Sequence, residues 1–327
     1  MVPVLSVVIP TCRRPLFLER AINSALMLAA GGNVEVIVVP NGADLSWVEV
    51  AEIFAGDPRV TFHPIQTAHA CAARNHGLEL AKGKYIRFLD DDDFLYPDAA
   101  IAQLELISSA GAEICSANVD IVDERGVVAH VWRLPKVQDF ASSVLSVHRL
   151  TLPTAHIFLR ESIKNIKWNS ALAISQDTDW MIQLAVYKDF FWVTMDVSVG
   201  VWVKHRGARI SSGYRVADVE KRIANMIMEG ADKLSTTDRL SASRRTAVAE
   251  GLWGCIQKAM MYAPIYWYKV ANIALAYDKK VTPPSKIYRF KLFSIFGPLF
   301  VEIILIPVRY IHVFFCRAGS FLSRSWR

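Results

Sequence analysis

Short β-branched runs alternate with helix-spaced apolar residues through the first part of the chain. Val4-Leu5-Ser6-Val7-Val8-Ile9-Pro10 reads as a strand stopped by proline, and Leu16, Ala21, Ile22, Ala25 and Leu26 recur at helical spacing between Pro15 and Leu28. Val34-Glu35-Val36-Ile37-Val38-Val39 predicts a second strand ending at Pro40-Asn41-Gly42, followed by a helix over Ser46 to Phe54. A weaker strand spans Arg59 to His63, a helix runs from about Ala70 to Ala81, and Lys82-Gly83-Lys84 leads into the strand Tyr85-Ile86-Arg87-Phe88-Leu89. Strands and helices that alternate in this way predict an α/β fold, with a mostly parallel sheet covered on both faces.

After Pro97 the pattern changes. A helix from Asp98 to Ser109, a strand from Ile114 to Val119, a hairpin turned at Glu124-Arg125-Gly126, a strand over Ala155 to Arg160 and a helix over Gln176 to Tyr187 are predicted in turn. Residues 217–278 read as helical throughout, and Pro283-Pro284 separates them from an apolar, basic end.

Composition narrows the class. The 327 residues suffice for a sizeable core, and they are 53% hydrophobic and 21% charged with a net charge of +6. The excess is local: from Lys280 onward, eight Lys and Arg stand against Glu302 alone. They are interleaved with Phe, Leu, Ile and Val, which favours an anionic membrane surface over nucleic acid as partner. Leu292 to Phe315 is apolar but broken by Gly297-Pro298, Glu302, Pro307 and Arg309, so the expectation is an anchor lying on a membrane; a helix packed on the rest of the protein is the alternative. The five cysteines are scattered without CxxC spacing and read as reduced thiols. No basic segment precedes a cleavable apolar stretch at the start, which predicts a cytoplasmic location, attached peripherally to the inner face of the cell membrane.

In parallel sheets ligands collect where strands end. Three such ends carry Thr11-Cys12-Arg13-Arg14, Pro40-Asn41-Gly42 and Asp90-Asp91-Asp92-Asp93, and they are expected to share one crevice. Four adjacent carboxylates repel one another, so an ordered run calls for a cation; a hard divalent ion with oxygen ligands fits. A solvated acidic turn would look the same in isolation.

The neighbours add to this. Val7-Val8-Ile9-Pro10-Thr11 with Arg13, Ala73-Arg74-Asn75-His76-Gly77, Ala81-Lys82-Gly83-Lys84-Tyr85-Ile86 and Phe88-Leu89-Asp90-Asp91-Asp92-Asp93 occur in order, and the chain across roughly residues 4–210 resembles the inverting GT-A glycosyltransferases of family 2. That resemblance implies a Rossmann-like nucleotide-binding sheet with an acceptor subdomain: residues 1–97 as nucleotide-sugar half, 98–215 as acceptor half, and 216–327 as a helical C-terminal region with a membrane anchor at about 286–318. It implies that Pro10, Thr11, Arg13, Asn41, Arg74, Asp90 and Asp91 bind the nucleotide, that Asp92 with His205 holds Mn2+ or Mg2+, and that Asp177 is the catalytic base.

Two departures from the family pattern stand out. Pro40-Asn41 replaces a pair of aspartates that helps read uracil, which leaves UDP the favoured donor base but admits GDP or dTDP. Gln176 replaces the glutamate before Asp177. The expected activity is transfer of a sugar from a nucleotide-sugar donor to a lipid-linked or saccharide acceptor in cell-surface polysaccharide or glycolipid synthesis. The alternatives are a sugar nucleotidyltransferase, which should carry a glycine-rich loop after the first strand, and a non-catalytic glycan-binding relative.

Overall fold

The computed structural model describes residues 3–28, 33–137, 139–204, 213–289 and 296–322. The chain divides into two compact units, the first made of residues 1–140 and 150–212, the second of 141–149 and 213–327.

In the first unit, β1 (Leu5–Thr11) is buried along its whole length and pairs in parallel with β2 (Val34–Pro40) on one side and β4 (Tyr85–Phe88) on the other. β3 (Val60–Phe62) extends the parallel part beyond β2. The helices α1 (Pro15–Leu26), α2 (Val48–Ile53) and α3 (Ala70–Leu80) are the crossovers. Helix α1 begins with proline at its first turn and buries Leu18, Ala21, Ile22 and Ala25, one stripe at helical spacing.

The sheet turns mixed beyond β4. After β5 (Phe94–Leu95) and α4 (Pro97–Ala110) come β6 (Ile114–Val122), its hairpin partner β7 (Val128–Trp132), the short helix α5 (Phe140–Leu145), which belongs to the second unit from Ala141 on, and β8 (His156–Leu159). Helices α6 (Arg160–Ile163) and α7 (Gln176–Tyr187) precede a long strand β9 (Trp192–Val203). Among the described residues the order is β3-β2-β1-β4-β8-β6-β9-β5 with β7 beside β6, nine strands in all, and β8 runs antiparallel to both β4 and β6. β9 was not predicted because its first half, Trp192 to Ser198, is largely half-exposed and gives a broken alternation. It bulges where it pairs with β6.

The second unit contains three helices where the sequence predicted one continuous stretch: α8 (Val216–Thr236), α9 (Ala242–Ala259) and α10 (Pro264–Tyr277). Ser241 caps α9 by accepting from the Arg244 N–H, and Pro264 starts α10, so each break carries its own start signal. Inside this unit Arg149 and Glu220, both buried, pair at 3.0 Å. The last helix, α11 (Pro298–Leu322), contains Pro307. Glu302, the residue that makes a membrane crossing costly, is fully buried against Arg309 at 2.5 Å and the Tyr288 hydroxyl at 3.0 Å. No helix among the described residues is long and apolar enough to cross a membrane.

The seat of α3 on β1 is tight. A Cβ added at Gly77 would lie 2.3 Å from Cγ1 of the fully buried Val8, whose branched side chain has little freedom to turn away. Gly77→Ala is therefore expected to lower the unfolding free energy by about 1–3 kcal/mol, the usual cost of overpacking, as read by urea denaturation. An unchanged midpoint and slope would contradict this packing.

Candidate active site

The ends of β1, β2 and β4 meet. Asn41 donates from both its main-chain N–H (3.0 Å) and its side-chain Nδ2 (2.9 Å) to the Thr11 carbonyl, which fastens the end of β2 to that of β1. The Thr11 hydroxyl donates to Asp91 Oδ2 at 2.8 Å, and the Cys12 N–H reaches the same oxygen at 3.4 Å. All three predicted loops thus adjoin one another, as their place in a parallel sheet requires. Pro10 lies within β1, opposite Val39.

The carboxylate run is held by arginines. Arg14 Nη1 lies 3.0 Å from Asp91 Oδ1 and 2.7 Å from Asp92 Oδ2. Arg20 donates to the Asp92 carbonyl at 2.8 Å, its guanidinium 4.6 Å from the Phe94 ring centre. Arg74, buried on α3, donates to Asp90 Oδ1 at 2.7 Å and rests 4.5 Å over the Trp168 ring. Asp93 faces inward, accepting from the Thr154 hydroxyl at 2.9 Å and from the Val203 N–H at 3.2 Å. The positive charge that the sequence called for is thus already supplied in large part by guanidinium groups.

Burial also shifts the protons. Desolvation pushes the Asp91 carboxyl up to about 7; Arg14 opposes this and the charge of Asp92 adds to it. Asp93 is raised well above the carboxylate range, first by burial and then by the charges of Asp92 and Asp90.

Asp177 comes from a different part of the chain, the first turn of α7. Its Oδ1 is buried and lies 3.8 Å from Arg74 Nη2, so one guanidinium stands between Asp90 and Asp177. Desolvation raises the Asp177 carboxyl to about 6, with Arg74 pulling down and Asp90 pushing up, and the side chain keeps an open edge, 36% exposed. The floor beneath is aromatic: Trp168 and Trp180 stack at 4.4 Å, and Phe88 meets both edge-on.

The amide at Gln176 has a structural reason. Its Nε2 donates to the Leu172 carbonyl at 2.9 Å, a bond that a glutamate carboxylate cannot make. His69 makes a second tie to the same atom. Its Nδ1 accepts from the Cys71 N–H, so Nε2 carries the proton and donates to the Leu172 carbonyl at 3.0 Å. The loop ahead of Asp177 is thereby joined to the start of the helix that carries Arg74.

Sequence reasoning missed Arg14, Arg20 and His69. It selected Arg13, whose side chain is exposed and whose main-chain N–H donates to Asp44 at 2.6 Å with φ at +61°. Two neighbouring arginines gave no signal as to which would turn inward. His205, expected beside a metal, lies outside the described residues.

The donor chemistry fits a hard divalent ion. Asp90, Asp92 and Asp93 each offer an oxygen within 4.8 Å of the others, an all-oxygen set of the kind magnesium and manganese take. Asp93 accepts hydrogen bonds at both oxygens from the Thr154 hydroxyl and the Val203 N–H, whereas Asp92 and Asp90 face arginine side chains, whose place a cation would share or take, so Asp92 and Asp90 are the residues that would hold the ion.

Comparison with known proteins gives the family and the fold. Residues 6–166 match the model of glycosyl transferase family 2, and the chain belongs to that family. The succinoglycan biosynthesis protein ExoO of Rhizobium meliloti is 36% identical over 173 residues, 48% of this chain and 49% of that protein. An uncharacterised glycosyltransferase of Haemophilus influenzae is 30% identical over 169 residues, 51% of this chain and 66% of its own length. The chain spans still less, 20%, of a similar Rickettsia felis protein. Among solved structures, S. aureus TarS 1-349 in complex with UDP-GlcNAc superposes with a TM-score of 0.62 at 17% identity, over 84% of this chain and 81% of that one. The fold is therefore the GT-A fold with a helical C-terminal region.

A raised carboxyl has a consequence for stability. Because the folded Asp91 value lies above the ordinary 3.8, the fold prefers the protonated form; that contribution is complete below 3.8 and is lost as pH rises through about 7. The stability of wild type relative to Asp91→Asn, measured by urea denaturation without ligands, is expected to fall across this window. A gap that widens in favour of wild type as pH rises would contradict the shift.

Proposed function

We propose that this chain is an inverting glycosyltransferase that moves a sugar from a nucleoside-diphosphate donor, UDP being the favoured base, to a lipid-linked or saccharide acceptor in cell-surface polysaccharide or glycolipid synthesis. The observation that carries the reading is Arg74 between two carboxylates, 2.7 Å from Asp90 on the donor side and 3.8 Å from Asp177. The TarS complexes with UDP-GlcNAc and with UDP support a uridine donor, and the name of ExoO supports a place in polysaccharide synthesis.

Inversion in one displacement needs a base on the acceptor oxygen while the diphosphate departs from the opposite face. Asp177 takes the proton from the acceptor hydroxyl as that oxygen attacks the anomeric carbon. Its pKa of about 6 makes it a stronger base than an ordinary aspartate, yet leaves it ionised near neutral pH. The diphosphate binds over the ends of β1 and β4, near Thr11, Arg74, Asp90 and Asp91, while Asn41 at the end of β2 borders the base. A magnesium or manganese ion held by Asp92 with Asp90 would supply positive charge to the diphosphate oxygens.

The acceptor half, residues 98–215, and the C-terminal region from 216 complete the assignment. On α11, Phe300, Ile303, Ile304, Val308 and Ile311 are all more than two-fifths exposed and share one broad helical face, opposite the buried Glu302. That face, with the basic residues beyond Lys280, fits attachment to the anionic inner surface of the cell membrane and a lipid-linked acceptor. Anionic phosphatidylglycerol vesicles are expected to sediment with the protein, and the double substitution Ile304→Ser, Val308→Ser to release it; equal sedimentation of both proteins would refute the attachment.

A panel of radiolabelled nucleotide sugars with manganese and membrane lipid extract tests the activity. Sugar transfer, or slow donor hydrolysis without acceptor, is expected from wild type, and pyrophosphate release instead would indicate a nucleotidyltransferase. Asp177→Asn is expected to lower transfer by about 10²–10⁴-fold while UDP affinity is kept, and the wild-type rate to rise as pH passes through about 6, where the base loses its proton. Full activity of the asparagine variant would remove Asp177 from the mechanism.

A further inference from the structure

Arg14 occupies oxygens that a divalent ion would need. Its Nη1 is 2.7 Å from Asp92 Oδ2 and 3.0 Å from Asp91 Oδ1. A magnesium or manganese ion bound to Asp92 sits about 2.0–2.2 Å from its ligand oxygens, so the guanidinium and the ion cannot both approach the same carboxylate edge without strong repulsion.

Arg14 borders solvent at the start of α1. It is the residue just before α1, with φ −137° and ψ 54° outside the helical region, and its side chain is 24% exposed. The other two arginines differ. Arg74 is 5% exposed and stacked on Trp168, which fixes it, and Arg20 donates to the main-chain carbonyl of Asp92 and not to the carboxylate.

We propose that Arg14 is a resident counter-ion for the Asp91–Asp92 pair that a divalent cation must displace on binding. This rests on the reading of the site as a metal-assisted nucleotide site. Without metal, Arg14 keeps two adjacent carboxylates ordered; with metal, its departure exchanges one positive charge for two at the same place. The competition weakens cation binding and so sets the concentration at which the site loads.

The test is manganese binding to the full chain without donor, followed by electron paramagnetic resonance of the free ion and by calorimetry. Arg14→Gln, verified as folded by circular dichroism and melting, is expected to bind manganese about tenfold more tightly than wild type, the scale of removing one cation close to the ligand oxygens. Arg14→Lys, which keeps the charge on a shorter reach, is expected to fall between them and serves if the glutamine variant does not fold. Arg20→Gln is the control, with a gain of about twofold or less expected. Unchanged or weaker binding by folded Arg14→Gln, or equal gains from the Arg14 and Arg20 substitutions, would overturn the displacement while leaving the enzyme reading intact. Absence of manganese binding in wild type and all variants would overturn the metal-assisted reading, and this proposal with it.

Discussion

Like charges in sequence are the constraint around which the first unit is organised. The end of β4 leads into four successive aspartates, and three different arrangements let them stand side by side. Asp90 leans on Arg74, Asp91 and Asp92 share Arg14, and Asp93 turns inward to Thr154 and the Val203 N–H with its carboxyl raised toward the neutral form. Removing a partner from such an arrangement leaves buried charge uncompensated, a penalty of several kcal/mol. The positions of α1, α3 and β9 are tied to these contacts, so the site and the fold share the same interactions.

In the parallel half β1, β2 and β4 were legible because they are buried along nearly their whole length and read as mainly apolar runs that stop at a proline or an aspartate. The antiparallel half was harder. β9 alternates between exposed and half-buried positions before a buried end, and β5 is a strand of two residues, too short for any period to register. The breaks between α8, α9 and α10 were marked in the sequence by Ser241 and Pro264, yet the apolar spacing on either side masked them.

For the site, residue type carried the information and direction did not. Asp90, Arg74 and Asp177 stand in the family pattern, and the structure brings both carboxylates within reach of the Arg74 guanidinium. Arg14 was not, since adjacent arginines in a loop differ only in the way the backbone turns, and here Arg13 takes the left-handed conformation while its neighbour turns inward. The amide at Gln176 reads as a loss against the family pattern, but its partner is a carbonyl, and only a donor serves there. His69 is similar: no spacing singles it out, and its role follows from two hydrogen bonds that tie the supports of Arg74 and Asp177 together.

The central claim is that the aspartates and arginines at the ends of β1 and β4 grip a nucleoside diphosphate with the help of a divalent ion. Calorimetric titration of UDP into wild type and Asp92→Ala, each with manganese and with a chelator, tests it most directly. Binding that requires both the ion and Asp92 is predicted. UDP bound equally well by the alanine variant, or in the presence of the chelator, would contradict it.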